Sequence, residues 1–327
     1  MIEYIERNIV SGKLKANEKI PSMRDLMHKF VLSKGTVSRG LDYLCKEGFL
    51  EKQIGSGTFV RKNKNLTENP QRNAVTVFCS QSLETLSSGR SMFSQILLGI
   101  QDVAKERNRS VSLIHTLGAK PYYIPPEQLE YANKNSYSII FIGEYDSFYD
   151  DIDIKIPSVA TSIQKNFKGK FSLVNLDAYD AALVACQYFK EHKKHHIEII
   201  TNTLPVFHHR AKLFEQQWND TGGTCKIKYI DECFTLPECD AYFFVSDSIA
   251  QRYSLKVMEK TGKPLHQSAC MFSIEGKRFL DHDFHKFPTY AVDWRYVGKL
   301  IFEEMIYRIE NLGSPARSIN VAGHLKY

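Results

Sequence analysis

The sequence predicts an α/β protein made of two unlike parts: a small amino-terminal module of helices and a β-hairpin, and a two-lobed domain built on doubly wound parallel sheets. Three observations predict this division. The net charge of +6 sits at the start of the chain, since residues 1–64 hold 13 Lys and Arg against 7 Asp and Glu whereas residues 65–327 hold 30 of each. A polar run around Pro70 follows that start. After Ala74, short apolar runs alternate with amphipathic stretches, as is typical of a doubly wound sheet.

The amino-terminal module begins with a polar amphipathic helix, and two short helices with capping signals follow it. Ser22 can cap the first of these, with Asp25 three residues later in the capping-box position. Ser33 can cap the second, whose apolar side chains recur at helical spacing while its polar side chains fall on other faces. This pattern is typical of a recognition helix.

A basic hairpin completes the module. Gly48 ends the recognition helix, and Leu50–Val60 reads as two strands joined by a Gly55-Ser-Gly57 tip that is too small and flexible to belong to a core. Such a hairpin is typical of a wing. The alternative is a purely structural module with a solvated charged face. A solvated surface does not need its charge so segregated along the chain, whereas binding to phosphates does.

Five runs of this module, in order, resemble the GntR-type winged helix-turn-helix. They are Ile9–Leu14, Ile20–Leu26, Ser33–Arg39, Leu44–Leu50 and Gly55–Val60. The resemblance implies that DNA is contacted by the side chain after Pro-Ser, by the start of the recognition helix and by the wing. At those positions this chain has Arg24, Lys34, Thr36, Ser38, Arg39 and Gly57.

The module departs from the family pattern in three places. The family usually has arginine at the position of Lys34 and another basic residue at the position of Ser38. A lysine can hold a phosphate or a single guanine edge but lacks the bidentate fork of arginine, so we expect a different operator preference. The family's first helix usually begins several residues upstream of the position of Met1, so the resemblance implies a start that is truncated or misassigned, with Ile2, Ile5 and Ile9 as the remaining apolar face of that helix.

Length and composition favour two or three folding units in a reducing compartment. The sequence has no long uninterrupted apolar run and no signal sequence, which predicts a cytoplasmic protein without a membrane partner. The seven cysteines are odd in number and form no Cys-x-x-Cys pair, so free thiols are expected rather than zinc ligands. The histidine-containing runs 193–196 and 208–210 lack a second cluster at ligand spacing, so no metal and no cofactor are predicted.

A linker is predicted at residues 63–73, because this stretch has almost no apolar content and contains Pro70. Two interpretations remain open. The segment is either a passive tether, or its basic start lies along DNA and its ordering couples the two domains. The predicted domains are therefore residues 1–62 and residues 74–327.

From Ala74 onward, strands and helices alternate in two successive sets. The predicted strands are 75–78, 110–114, 138–142, 158–160, 196–200, 226–230, 241–245 and 268–272, and the predicted helices are 93–107, 179–191, 210–221 and 248–261. Two α/β sets suggest two lobes. In such sheets ligands bind outside the carboxyl ends of the strands, so a cleft between the lobes should collect the residues that follow each strand.

Several segments of this half resemble the LacI/GalR-type effector domain, which is itself similar to periplasmic sugar-binding proteins. They are Phe93–Ile100, Ile156–Val159, Val174–Ala182, Arg210–Phe214, Ala241–Ala250, Phe272–Gly276 and Pro288–Asp293. The resemblance is looser than the amino-terminal one. It implies a periplasmic-binding-protein-like effector-binding and dimerisation domain, with one lobe at about 74–172 and 292–315 and the other at about 173–288 and 316–327.

By position, the resemblance implies Arg210, Asp247 and Glu275 as effector-binding residues. A sugar presents hydroxyls that donate to a carboxylate and accept from a guanidinium, while its C–H face stacks on an aromatic ring. Each residue has another interpretation: Arg210 could cap or pair on a surface helix, Asp247 could be only a helix N-cap, and Glu275 could equally play no part in binding. His115 and Phe234 are further cleft candidates, for which ordinary packing or exposure is the commoner role.

No catalytic motif is present, whether Gly-x-Ser-x-Gly, Walker loop, His-Glu-x-x-His or Gly-x-Gly-x-x-Gly, so no enzyme is predicted. The sequence instead predicts a bacterial homodimeric transcription factor that binds a palindromic DNA operator and is controlled by a small polar effector, a sugar or sugar derivative. Two alternatives remain. One is an architectural DNA-binding protein whose second domain only dimerises, and the other is an enzyme fused to a DNA-binding domain.

Overall fold

The structure is a computed structural model that describes most of the chain. The described residues are 1–10, 13–15, 17–46, 49–53, 55–61, 74–81, 86–87, 91–116, 124–143, 154–161, 171–230, 238–276, 287–311 and 314–327. Gly48, Phe234 and the predicted linker 63–73 lie outside these ranges. No helix within them is long and apolar enough to cross a membrane.

The amino-terminal module contains the predicted helices, α1 (Ile2–Val10), α2 (Met23–Phe30) and α3 (Lys34–Lys46). The predicted capping box is confirmed at the start of α2, where the Asp25 amide donates to the Ser22 hydroxyl at 3.3 Å and the Ser22 amide donates to the Asp25 carboxylate at 3.1 Å. The predicted cap of α3 is also confirmed, because the Thr36 amide donates to the Ser33 hydroxyl at 3.2 Å.

The hairpin consists of β1 (Leu50–Gln53) and β2 (Gly57–Val60), which pair antiparallel. Lys19 forms an additional bridge to β2 at Phe59, so the segment before α2 extends the hairpin. One apolar core joins helices and hairpin. Its fully buried members are Ile5, Ile20, Leu26, Val37, Leu41, Leu44, Phe49, Leu50 and Val60.

The first α/β unit contains a six-stranded sheet in the described residues, with strand order β13-β7-β6-β5-β3-β4. All of its pairings are parallel. The strands are β3 (Ala74–Cys79), β4 (Ser110–His115), β5 (Ser138–Ile142), β6 (Ser158–Thr161), β7 (Ser172–Leu176) and β13 (Ser318–Val321). The helices are α4 (Met92–Glu106), α5 (Pro126–Asn135) and α9 (Trp294–Glu310).

The second unit contains another six-stranded sheet in the described residues, with order β14-β12-β11-β10-β8-β9. Only the β12–β14 pair among its described pairings is antiparallel. The strands are β8 (His196–Thr201), β9 (Thr224–Tyr229), β10 (Ala241–Phe244), β11 (Cys270–Glu275), β12 (Thr289–Ala291) and β14 (His324–Lys326). The helices are α6 (Ala178–Glu191), α7 (Pro205–Asp220) and α8 (Asp247–Thr261).

The two-lobed, doubly wound parallel-sheet fold is as predicted, but the strands divide between the lobes differently. β13 and β7 were expected in the second lobe, and both belong to the first sheet, where they pair with each other. The chain crosses between the sheets after β7, after β12 and after β13. Placement of β13 and β7 depends on strand partners distant in sequence, which local periodicity does not reveal.

Helices α4 and α9 cross at unusually close range. A side chain at Gly99 would collide with the carbonyl oxygen of Arg295, and one at Gly298 would collide with the carbonyl oxygen of Ile96. Beside this crossing, the Arg295 guanidinium binds the Asp102 carboxylate through two hydrogen bonds of 2.7 and 2.8 Å. Close backbone approach and the bidentate ion pair fix α9 to the first lobe.

Candidate DNA-binding and effector sites

The predicted DNA-binding residues lie on the surface of the amino-terminal module. Arg24, Lys34, Thr36, Arg39 and Gly57 are all exposed. Among the described residues, Arg39 makes only a long hydrogen bond within its own helix, from its Nε to the Gly35 carbonyl oxygen at 3.4 Å. Its guanidinium therefore keeps donors for a partner outside the protein.

Ser38 is half-buried and differs from the other predicted contacts. Its hydroxyl lies 3.5 Å from the Asp42 carboxylate, and that carboxylate also pairs with Lys52 of β1. The Asp42–Lys52 pair connects the recognition helix to the wing. Ser38 consequently faces the seam between α3 and the hairpin.

Lys19 is a basic side chain at the wing that the sequence did not reveal. Gly57 has a positive φ of 121°, and a side chain there would collide with the aliphatic end of Lys19. The Lys19 ammonium also lies 6.0 Å from the centroid of the Phe59 ring. The wing therefore carries a lysine beside its glycine, and only the bridge between the segment before α2 and β2 brings the two together.

In the second lobe, polar side chains gather where the strand order of the sheet reverses. The strand that follows β8 in the chain, β9, lies on one side of β8, and the next strand, β10, lies on its other side. The strand order therefore reverses between β8 and β10, and the carboxyl ends of these two strands flank this point. Such reversals leave a crevice in which doubly wound proteins bind ligands. Arg210 comes from α7, which follows β8, and Asp247 begins α8, which follows β10.

Arg210 is buried within α7 with 4% of its surface exposed, so it is neither a surface pair nor a helix cap. Its Nη1 donates to the Val245 carbonyl oxygen at 2.9 Å and to Glu275 Oε1 at 3.1 Å. Its Nε is buried without a hydrogen-bond partner among the described residues. The ring of Phe207, one turn earlier in α7, lies 5.2 Å from the guanidinium carbon.

Asp247 is also buried, and it is not the N-cap of its helix. Ser246 takes that role, since its hydroxyl accepts a hydrogen bond from the Ile249 amide. The Asp247 carboxylate instead accepts hydrogen bonds from the hydroxyls of Ser273 and Thr289, the second at 2.8 Å. Asp247 therefore connects β10 to β11 and β12, and the N-cap interpretation is wrong.

Glu275 ends β11 with an unusual backbone conformation. Its φ is 115°, in a region that side chains other than glycine rarely adopt. The conformation is held by the ion pair to Arg210 and by the indole Nε1 of Trp294, which donates to the Glu275 carbonyl oxygen at 2.9 Å. Because Trp294 begins α9, this bond joins the second-lobe site to a helix of the first lobe.

His209, next to Arg210 in α7, adds little charge to this group. The pKa of His209 lies below its ordinary value, chiefly because desolvation disfavours the protonated ring and then because Arg210 and His208 are close. The ring is therefore neutral at pH 7. His208 points to the sheet edge, where its Nδ1 lies 2.8 Å from the Tyr229 hydroxyl.

The first sheet also presents polar side chains at its carboxyl edge. Ser80 follows β3 and Thr161 ends β6, and both hydroxyls are buried without a hydrogen-bond partner among the described residues. Gly143 follows β5 with a φ of 116°, and a side chain there would collide with Ser80. Buried hydroxyls without partners are uncommon, so these two are candidates for binding a ligand.

The two weaker effector-site candidates from the sequence, His115 and Phe234, have different outcomes. His115 ends β4 at the same edge as Ser80, half-buried, with its Nδ1 3.2 Å from the Gln81 carbonyl oxygen. Phe234 lies outside the described residues. Among the residues that the sequence did not reveal, Phe207 could have been found from its i, i+3 spacing to Arg210. Trp294, Ser80 and Thr161 gave no such local signal.

Residues 1–60 match the family described as "Bacterial regulatory proteins, gntR family". The arabinose metabolism transcriptional repressor of Geobacillus stearothermophilus is 34% identical over 124 residues, which are 37% of this chain and 31% of that protein. The transcriptional repressor NagR of Bacillus subtilis (strain 168) is 36% identical over 64 residues, 20% of this chain and 26% of that protein. These matches span less than a third of those relatives' own lengths.

Solved structures resemble the larger part of the chain. A complex of the transcriptional regulator CelR with cellobiose has a TM-score of 0.63 at 14% identity, covering 94% of this chain and 99% of that one. A periplasmic binding protein/LacI transcriptional regulator from Alkaliphilus metalliredigens QYMF, complexed with D-xylulofuranose, has a TM-score of 0.61 at 15% identity, covering 78% and 97%. At such identities the likeness concerns the fold. The chain thus combines a GntR-type helix-turn-helix domain with a LacI-type two-lobed fold.

Proposed function

We propose that this chain, which joins a GntR-type DNA-binding domain to a LacI-type fold, is a cytoplasmic transcriptional regulator controlled by a small polar effector. The observation that supports this most is the pairing of two sites of opposite character in one chain. An exposed basic recognition helix faces outward, and a buried polar network lies at the strand-order reversal of the second sheet. Residues 1–62 bind DNA, residues 63–73 form the linker between the domains, and residues 74–327 bind the effector.

The recognition helix reads the operator in the major groove through Lys34, Thr36 and Arg39. Arg24 holds the phosphate backbone, and the wing lies at the minor groove through Gly57. Ser38 contributes less to base contacts than its position in the family suggests, because its hydroxyl faces Asp42. Exposure of the five other residues supports this assignment.

The effector is a sugar or sugar derivative bound between the lobes. The Asp247 and Glu275 carboxylates accept from its hydroxyls, and Arg210 donates through its Nε, which has no hydrogen-bond partner among the described residues. Phe207, and Phe234 as the sequence suggests, offer apolar faces to its C–H groups. His115 belongs to the first-lobe side of the cleft.

The first lobe completes this effector site with neutral donors. Ser80 and Thr161 contribute their buried hydroxyls from the carboxyl edge of the first sheet.

Two copies of the chain bind a palindromic operator. Exposed leucines on α4 (Leu98), β4 (Leu113) and α8 (Leu255), with Met258 beside the last, supply apolar surface for a second copy. A two-fold dimer presents two recognition helices to two half-sites. The effector changes DNA affinity only if lobe closure favours one spacing of those helices.

An architectural DNA-binding protein is the competing proposal, and it needs no buried polar groups aimed between the lobes. A thermal-shift screen of the full chain against monosaccharides, disaccharides and nucleosides separates the two. A sugar that raises the melting temperature, and does so less in Asp247→Asn, supports the regulator. A flat response to the whole panel, with DNA binding intact, would favour the architectural protein.

A further inference from the structure

Among the described residues, Arg210 supplies the one guanidinium of the proposed effector site, and a carboxylate of the protein already pairs with it. Arg210 and Glu275 are 4% and 2% exposed, with 3.1 Å between their charged atoms. An arginine that recognises a phosphate or carboxylate ligand presents its planar fork to that ligand. Here the same Nη1 atom bonds both Glu275 and a backbone carbonyl oxygen. The positive charge is therefore neutralised within the protein before any ligand arrives.

A second carboxylate lies in the same network. Asp247 is 2% exposed and accepts hydrogen bonds from the hydroxyls of Ser273 and Thr289, which carry no charge. Thr289 in turn accepts from the Gly276 amide at 3.2 Å, next to Glu275. Two carboxylates, Asp247 and Glu275, therefore belong to the network around Arg210. An anionic ligand entering the network would approach both carboxylates, while the guanidinium of Arg210 is already engaged by Glu275.

The opposite edge of the cleft adds no lysine or arginine in the part of the chain that the structure describes. The described residues that end or directly follow β3, β4, β5 and β6 have hydroxyl, thiol, amide, imidazole or aliphatic side chains or are glycine. None of them is lysine or arginine. Ser80 and Thr161 offer neutral, unpartnered hydroxyls. Such groups suit the hydroxyls of an uncharged ligand.

The backbone of Glu275 indicates that its carboxylate is held in place rather than left there by chance. A glycine would adopt a φ of 115° without strain, whereas a glutamate does so only when its surroundings fix it. Arg210 fixes the carboxylate, and Trp294 Nε1 fixes the carbonyl oxygen. Trp294 thereby acts as a positioning residue for Glu275.

From these observations we propose that Glu275 makes the effector site selective for an uncharged polyhydroxyl ligand and against phosphorylated or carboxylated ones. This inference rests on the proposed function, because it concerns the same site. Glu275 excludes anions by neutralising Arg210, and it keeps acceptor oxygens available for sugar hydroxyls. Its replacement by a neutral side chain of the same size should leave Arg210 open to anions.

The test measures the melting temperature at constant ionic strength in the presence of inorganic phosphate or of matched sugars with and without a charged group. One set is D-glucose, D-glucose 6-phosphate and D-glucuronate, and the other is L-arabinose with its phosphate and its acid. The full-length wild type is compared with Glu275→Gln. We expect inorganic phosphate and the charged sugars to leave the wild type unchanged. In Glu275→Gln their affinities should rise about ten-fold or more, as when a like charge is removed beside a binding site.

A matched control uses the other buried glutamate that pairs with a cation in the same sheet. Glu198 binds Lys228 at 2.8 Å between β8 and β9. Glu198→Gln also releases a partly buried cation, but away from the network of Arg210. It should not gain affinity for phosphate. If it gains as much as Glu275→Gln, the response is nonspecific and the proposal is overturned.

Two further results would overturn the proposal. One is a wild type that a phosphorylated or acidic sugar stabilises more than its neutral counterpart, which contradicts the charge argument while leaving the sensor function standing. The other is a folded Glu275→Gln protein with no gain. If Glu275→Gln does not fold, the wild type and Glu275→Asp are compared instead. Glu275→Asp keeps the negative charge, so it must still reject phosphate if the proposal holds. If the wild type binds neither the anions nor any neutral sugar, the assignment of a sugar effector is wrong, while the argument about charge is not contradicted.

Discussion

Arg39 and Arg210 both lie on helices that follow a capping or turn signal, yet their surroundings are opposite. Arg39 is exposed, and its one described hydrogen bond is the long one to a carbonyl oxygen of its own helix. Arg210 is 4% exposed and shares its Nη1 between a carboxylate and a carbonyl oxygen. The first charge is available to a partner from outside, and the second is already balanced by the protein. Identical side chains thus serve an open site and a closed one.

The difference has an energetic consequence. An exposed charge is solvated, and removing it changes stability little, whereas a buried pair survives only because each member compensates the other. Mutations in the DNA-binding surface should therefore change binding without changing stability. Mutations in the buried network should change stability and ligand response together.

The largest effect is expected from Arg210→Met. The substitution keeps the aliphatic volume but leaves the Glu275 carboxylate buried without its ion pair, so the free energy of unfolding should fall by about 3–5 kcal/mol. Urea denaturation measures this. Lys212→Met on the same helix is the control, because Lys212 is exposed and its pair with Glu215 is a surface one. Equal losses in the two variants would show that burial of the Arg210 pair is unimportant.

Arg39→Ala tests the open site. We expect DNA affinity to fall by about 1–3 kcal/mol, because a side chain that contacts a base or phosphate is lost, while the melting temperature stays the same. Fluorescence anisotropy with DNA selected by the wild type measures the affinity. Lys46→Ala removes an exposed cation from the carboxyl end of α3 and should weaken binding less. Unchanged affinity in Arg39→Ala would remove Arg39 from the interface.

Trp294→Phe tests the bond between the lobes. Loss of the indole donor to the Glu275 carbonyl oxygen should lower stability by about 1 kcal/mol and weaken neutral-ligand affinity several-fold. Trp218→Phe is a matched control, since its Nε1 donates to the Thr224 carbonyl oxygen at 3.1 Å in the core of the second lobe. It should lose similar stability without losing ligand affinity. A ligand affinity equal in both variants argues against positioning by Trp294.

Ser22→Ala, in the DNA-binding domain, is expected to have the smallest effect of these variants. The hydrogen bond from Ser22 is the largest cause of the lowered pKa of Asp25, whose ordinary value is 3.8. A lowered carboxylate pKa adds stability that is present above the ordinary value and is lost as the pH falls through the folded-state value. We expect a melting temperature lower by about 2–4 °C at pH 7. Melting curves should also show a weaker dependence on pH below about pH 4, and an unchanged dependence would contradict the capping box.

The amino-terminal module was predictable almost element by element because its signals are local. Ser22 and Asp25 are three residues apart, and Ser33 directly precedes the helix that it caps. The strands β3, β5 and β8 were likewise predicted as short apolar runs with boundaries within one residue. By contrast, β7, β13 and helix α9 were not predicted from the sequence, although the apolar side chains of α9 recur at helical spacing.

The sequence by itself determined the two-part architecture, the helix caps, the segregation of positive charge and the identity of Arg210, Asp247 and Glu275 as residues of interest. Only the tertiary structure decided that Arg210 and Glu275, 65 positions apart, form a buried pair. It also decided that Asp247 accepts from Ser273 and Thr289. Local patterns specify backbone conformation over a few residues, but the partner of a buried charge depends on which strands become neighbours. That choice is made by the packing of the whole sheet.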